Sequence, residues 1–153
     1  MRAEGRTRWW GAPTAPALHG TVAGLASWFL PRHDRGHRLS PSDINYRANI
    51  DALKRAGVTD LISLSACGSF KEEMPPGTFV MVDQFVDRTH RRESSFFGKG
   101  CVAHVPMAHP VSPRLRLQLA AVPEDGGIAV RPHGHCARTG GPRLSTLPHA
   151  LPD

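Results

Sequence analysis

The stretch from Phe29 to Asp87 limits the fold most, because it reads in order as strand, polar turn, helix, strand, glycine turn and strand. Phe29-Leu30-Pro31-Arg32-His33 is a short apolar run that ends in two cations. Ser40-Pro41-Ser42-Asp43 opens a helix: Ser40 caps it, Pro41 suits the first helical position, and Asp43 completes a capping box. The helix is expected over 41–56, with Gly57 as its stop. Ile44, Ala48 and Leu53, flanked by Tyr46 and Ile50, form its apolar stripe and should face a sheet. Arg47, Asp51 and Lys54 make the wet face, with Asp51 and Arg55 at the spacing of a helical ion pair. Val58 to Ser65 reads as a buried strand centred on Leu61-Ile62-Ser63-Leu64. Phe79 to Phe85 reads as another, after the turn Pro75-Pro76-Gly77. Strands joined through a helix pair in parallel, and the loops at their C-terminal ends gather ligands. The expected class is therefore α/β, a mixed central sheet flanked by helices, with central strands near 59–65 and 79–86.

A chain of 153 residues suits one domain with a real core. No apolar run approaches the ~18 residues of a membrane span, and the basic start lacks a secretory apolar segment, so the cytoplasm is expected. Three scattered cysteines, Cys67, Cys101 and Cys136, point to reduced thiols. The net charge of +6 fits an arginine-rich surface or an anion site. Nucleic-acid binding is disfavoured: Arg88, Arg91 and Arg92 have only Phe96 and Phe97 nearby, and Glu93 interrupts them.

Candidate chemistry gathers at loops. Arg32 and His33 follow an expected strand end, where a planar guanidinium fork and an imidazole suit a phosphate. Ser65-Ala66-Cys67-Gly68 follows another, and its small side chains let a ligand approach the backbone. No partner base marks Cys67 as a nucleophile. Glu72 and Glu73 read as solvated, and Asp83, Asp87 and Arg88 as a structural polar set. Residues 89–100 read as a loop and Val102 to Met107 as a short strand holding His104. A helix starts near Ser112-Pro113, and Gly126 to Val130 suits a strand. His133, His135 and Cys136 lack a fourth ligand at a known spacing, so no metal site is expected.

Four blocks resemble the S-methyl-5'-thioadenosine phosphorylases of the trimeric purine nucleoside phosphorylase branch. They are Arg32-His33-Asp34-Arg35-Gly36-His37, Asn45-Tyr46-Arg47-Ala48-Asn49-Ile50, Ser65-Ala66-Cys67-Gly68-Ser69 and Val82-Asp83-Gln84-Phe85-Val86-Asp87-Arg88-Thr89. Cys67 and Ser69 favour the methylthioadenosine branch over the purine nucleoside one. The resemblance implies a nucleoside phosphorylase-like core over 29–122, between a divergent segment 1–28 and a degenerate segment 123–153. It implies an incomplete fold, truncated or degenerate at both ends. Trp10-Gly11-Ala12-Pro13-Thr14 is similar to a Thr-Pro-Trp-Gly-x-Pro-Ser segment of the family, but no phosphate-binding glycine turn precedes it. Thr139 to Thr146 is similar to Met-Glu-Gly-Pro-Gln/Arg-Phe-Ser-Thr, with Gly140 for the Glu and Leu144 for the Phe, and prolines then break the tail.

What the resemblance implies about function is phosphorolysis of 5'-methylthioadenosine to adenine and 5-methylthioribose 1-phosphate. That is a pentosyltransferase reaction of purine and methionine salvage. Inorganic phosphate is the co-substrate, and no cofactor or metal is required. By the same resemblance Arg32, His33, Ser65 and Ala66 bind phosphate, while His37, Ala66, Cys67, Gly68 and His104 line the nucleoside pocket. His104 would serve a neighbour's pocket in a homotrimer. Asp34 stands where the family commonly has Gly: either its backbone is compatible and its side chain turned away, or the site is damaged. The family's acidic purine-binding residues lie beyond this chain, so impaired activity is expected. The alternatives are a non-catalytic remnant, or a purine nucleoside or methylthioinosine phosphorylase.

Overall fold

In the computed structural model the described residues are 9–90, 92–121 and 127–140. Arg91, Gly126, the 141–146 part of the C-terminal motif and the tail lie outside them. The described chain divides into two compact units, 9–64 with 92–102, and 65–90 with 103–121 and 127–140.

The first unit opens on a hairpin, nearly all of it within the segment 1–28 that the resemblance marks as divergent. β1 (Leu18–Val22) pairs antiparallel with β2 (Leu25–Phe29), and His19 opposes Trp28 with the rings 4.8 Å apart. Ala23 and Gly24 close it with φ of 47° and 81°, the left-handed pair that a two-residue hairpin turn needs. Because β2 ends at Phe29, Arg32 and His33 stand in a turn and not at a strand end.

The helix α1 (Tyr46–Arg55) starts later than expected. Ser40 and Asp43 do bond each other, Oγ to Oδ2 at 2.5 Å, but they close a separate turn. Asn45 is the N-cap: its Oδ1 accepts the Ala48 N–H at 3.1 Å while its Nδ2 donates to the Trp10 carbonyl at 2.7 Å. The tether wins because it fixes the 10–14 segment as well as the helix end. Asn49 repeats the device one turn on, its Oδ1 accepting from Thr14 N and Oγ1 at 2.9 and 3.2 Å. Gly57 ends the helix as expected, at φ 82°, with Gly57 N donating to Lys54 O and Val58 N to Leu53 O. Asp51 and Arg55 pair at 2.7 Å.

The buried stripe is Ile44, Ala48, Asn49 and Leu53, joined by Ala15. Ile50, expected on the core side, is exposed, and Arg47, expected to be wet, leans on Trp10 instead.

In the second unit, β3 (Phe79–Val80) pairs in parallel with β5 (Val130–Arg131), and β4 (Gln84–Arg88) with β6 (His135–Thr139). Phe79 opposes Val130 and Gln84 opposes His135, so both ladders keep one register. The break between them is bridged by Met81 N to Arg131 O at 2.8 Å and Asp83 N to Gly134 O at 3.1 Å. Gly134 lets the strands close here, since a Cβ on it would meet Val80 Cγ1 at 2.3 Å. The helix α2 (Pro113–Ala120), capped by Ser112, lies between the paired strands in sequence, as a parallel crossover requires.

The expected strands at 59–65 and 102–107 do not form. Residues 59–70 and 101–109 are exposed and no described segment offers them a ladder. A continuous apolar run such as 61–64 marks a strand covered on both faces. Here Leu61, Ile62 and Leu64 remain exposed. No described helix is long and apolar enough to cross a membrane.

Candidate functional site

Arg32, His33 and His37 share one tight loop in the first unit. Asp34 N bonds Pro31 O, His37 N bonds Asp34 O, and Leu39 N bonds His33 O, at 2.9, 3.2 and 3.1 Å. These closures force left-handed backbone at Asp34 (φ 64°), Gly36 (77°) and His37 (55°). His33 stacks on His37 with centroids 4.3 Å apart, and its Nδ1 lies 2.8 Å from the Leu39 carbonyl. A carbonyl only accepts, so Nδ1 carries the proton. His33 can then donate from Nε2 to an anion only as the imidazolium. Arg32 Nη1 donates to the Leu64 carbonyl at 2.8 Å, which fixes the guanidinium against the residue preceding Ser65 in the chain.

The two alternatives for Asp34 narrow here. Its φ of 64° is the conformation glycine adopts without strain, so the backbone is compatible with the family's usual residue. Its carboxylate accepts the Arg35 N–H at 2.7 Å and pairs with Arg38. The backbone bond first, and then Arg38, hold its carboxyl below the ordinary range.

Ser65, Ala66, Cys67, Gly68 and His104 lie in the second unit, every one exposed and outside regular structure. Ser69 forms a local turn, accepting from Lys71 N at 3.0 Å and donating to Lys71 O at 2.9 Å. The structure thus groups the three expected residues of the first unit, and places the others on irregular chain. The three cysteines are free thiols.

Asp83 belongs elsewhere than the sequence suggested. Its Oδ2 lies 3.0 Å from His133 Nδ1, across the parallel pair, while Asp87 accepts from Thr89 N at 2.8 Å. That contact holds the Asp83 carboxyl below its ordinary range. Arg116 Nη1 also reaches His133 Nδ1, at 3.1 Å. One nitrogen cannot donate to Asp83 and accept from Arg116 at once, so the two bonds exclude each other. His135 Nε2 stays 3.8 Å from Asp83 Oδ1. Among the described residues no group of three or more ligating side chains could hold a metal.

The family model described as the phosphorylase superfamily matches residues 15–151. The chain belongs to this superfamily. S-methyl-5'-thioadenosine phosphorylase of Bradyrhizobium diazoefficiens is 73% identical over 142 residues, 93% of this chain and 49% of that protein. The protein of the same name from Cereibacter sphaeroides is 54% identical, with the same coverage of 93% and 49%. The chain spans about half the length of these curated relatives. Methylthioadenosine phosphorylase from Schistosoma mansoni, solved with adenine, matches with a TM-score of 0.82 and 36% identity, over 92% of this chain and 58% of that one. A double mutant of the adenosine/methylthioadenosine phosphorylase from the same organism, solved without ligand, matches at 0.87 and 34%, over 98% and 62%. The α/β class with mixed strand directions, expected from the sequence, is the class of this superfamily chain.

Proposed function

We propose that this chain carries the phosphate-binding part of an S-methyl-5'-thioadenosine phosphorylase-type pentosyltransferase. The observation that carries the reading is the 73% identity, over 93% of the chain, to a protein of that name. In the proposed reaction an oxygen of inorganic phosphate attacks the anomeric ribose carbon of 5'-methylthioadenosine. The bond to the purine nitrogen breaks, and adenine leaves with that electron pair and a proton. Phosphate is the nucleophile, so neither a side-chain nucleophile nor a cofactor is needed. The work is positioning an anion against an oxocarbenium-like centre.

Arg32 would grip phosphate through its fork, with His33 adding a charge-assisted donor once protonated. Ser65 and Ala66 would supply a hydroxyl and close backbone approach. His37, Cys67, Gly68 and, from a neighbouring subunit, His104 would line the nucleoside pocket of a cytoplasmic homotrimer built on residues 29–122. Purine nucleosides or methylthioinosine are the alternative substrates.

The exposure of 59–70 favours a second statement about this chain by itself. Ser65 and Ala66 stand on exposed chain that no ladder holds among the described residues, and a site loose by ~1 Å loses most of its preorganisation. The chain alone is therefore a weak catalyst or a non-catalytic remnant. Phosphate titration of the wild type and Arg32→Ala tests the assignment. Loss of a charge-assisted bond worth ~1.5–3 kcal/mol should weaken binding by roughly 10- to 150-fold. Equal affinities would reject it.

A further inference from the structure

Trp10, Ile44, Tyr46, Arg47, Arg92 and Glu93 line a cleft of about 280 Å³ at the N-terminal end of α1, within the first unit. The Arg47 guanidinium lies over the Trp10 ring, 4.8 Å from its centroid, and that of Arg92 over Tyr46 at 5.9 Å. Trp10 is itself held from behind, edge-on to Phe96 at 5.3 Å and by Asn45 on its carbonyl. A guanidinium stacked on a ring uses its face and leaves its N–H edge for oxygen ligands. Arg47 turns part of that edge to Ser95 O at 3.3 Å and Glu93 at 3.2 Å. Arg92 Nε is buried with no hydrogen-bond partner among the described residues. A buried donor in that state is stabilised by an acceptor.

Charge agrees with the geometry. Two guanidiniums face one carboxylate, that of Glu93, which is 74% exposed and easily displaced. The first turn of α1 carries no acidic side chain, so the positive helix end is not offset there. The volume exceeds what a bare phosphate or carboxylate fills, and Trp10 and Ile44 give the remaining space an apolar wall. None of these residues is among Arg32, His33, Ser65 and Ala66.

We propose that this cleft binds a small organic oxyanion, an aryl phosphate or aryl carboxylate, with its oxygens on Arg92 and Arg47 and its flat body against Trp10 and Ile44. Binding there is independent of the proposed phosphate residues. Calorimetric titration of the whole chain with phenyl phosphate, benzoate, inorganic phosphate and phenol tests it, with far-ultraviolet circular dichroism on every variant. In Arg32→Ala, where the proposed phosphate residues no longer contribute, phenyl phosphate or benzoate should bind at least about tenfold tighter than either phenol or inorganic phosphate, and the tighter of the two identifies the oxyanion. Arg92→Gln and Arg47→Gln should each weaken the better aryl ligand about tenfold or more, while Arg32→Ala leaves it unchanged. Glu93→Gln, an exposed change with little reach into the fold, should tighten it about threefold by removing the competing carboxylate. Equal binding of phenol, equal binding of inorganic phosphate in Arg32→Ala, full affinity in folded Arg92→Gln, or no gain in Glu93→Gln would each overturn the proposal.

Discussion

Replacing Asn45 separates two functions that one side chain performs. Its Oδ1 caps α1 through Ala48 N at 3.1 Å, and its Nδ2 anchors Trp10 O at 2.7 Å. Loss of an N-cap costs about 1 kcal/mol, within a range of about 0.5–2. Loss of a part-buried hydrogen bond costs about 0.5–1.5 kcal/mol more. Asn45→Ala should therefore destabilise the first unit by about 1–3.5 kcal/mol. Asn45→Ser keeps a cap oxygen but is too short to reach the Trp10 carbonyl, so it should lose only about 0.5–1.5 kcal/mol. Urea unfolding followed by circular dichroism and tryptophan fluorescence measures both. With a slope of about 1–3 kcal/mol/M, the Ala variant should shift its midpoint by about 1 M and the Ser variant by half as much or less. Equal losses in the two variants, or a loss below about 0.5 kcal/mol in Asn45→Ala, would refute the division of labour.

Other perturbations follow from particular contacts. Gly134→Ala should destabilise the parallel pair by about 1–3 kcal/mol, because its Cβ would meet Val80 Cγ1 at 2.3 Å; Val80→Ala in the same chain should recover most of that, read as hydrogen exchange at the Met81 and Asp83 amides. Ala23→Asn should stabilise the hairpin by roughly 0.5–1 kcal/mol, since Ala23 sits at φ 47° where Asn is tolerated better; an unchanged urea midpoint would count against the turn assignment. His133→Ala should return the Asp83 carboxyl towards its ordinary range, visible in carboxyl NMR titration. Asp34 and Asp83 are both depressed from 3.8 in the folded chain. Their stabilisation is therefore present above about pH 4 and lost as pH falls through their folded values. Asp34→Asn with Asp83→Asn should flatten the acid limb of the stability profile.

The elements legible in the sequence were those whose signal is local. Gly57 announced the end of α1, Ser112-Pro113 the start of α2, and Asp51 with Arg55 an ion pair, because each needs only a few neighbouring residues. The hairpin at 18–29 went unread since Ala-Gly replaces the usual Asn-Gly in its turn. The capping-box signal at Ser40 did not form its box: Ser40 and Asp43 bond side chain to side chain in a separate turn, and the helix starts at Asn45, whose advantage is a partner 35 residues away. Leu61 to Leu64 carries the composition of a buried strand, but composition cannot supply the neighbours that make a ladder. The same limit hid the Asp83–His133 contact, which depends on the register of a parallel pair. In the candidate site, the sequence singled out the residue types that suit a phosphate. Only the structure groups His33 with His37 and shows that Nδ1 is already committed to Leu39.

The most direct test of the central claim is adenine release from 5'-methylthioadenosine by the purified chain, with and without phosphate. The account predicts little or no phosphate-dependent turnover, because Ser65 and Ala66 lie on exposed chain outside any described strand or helix. One misplaced preorganised contact typically costs about 10²–10³ in rate. Phosphate-dependent turnover at ordinary enzyme rates, about 1–10³ per second, would contradict it.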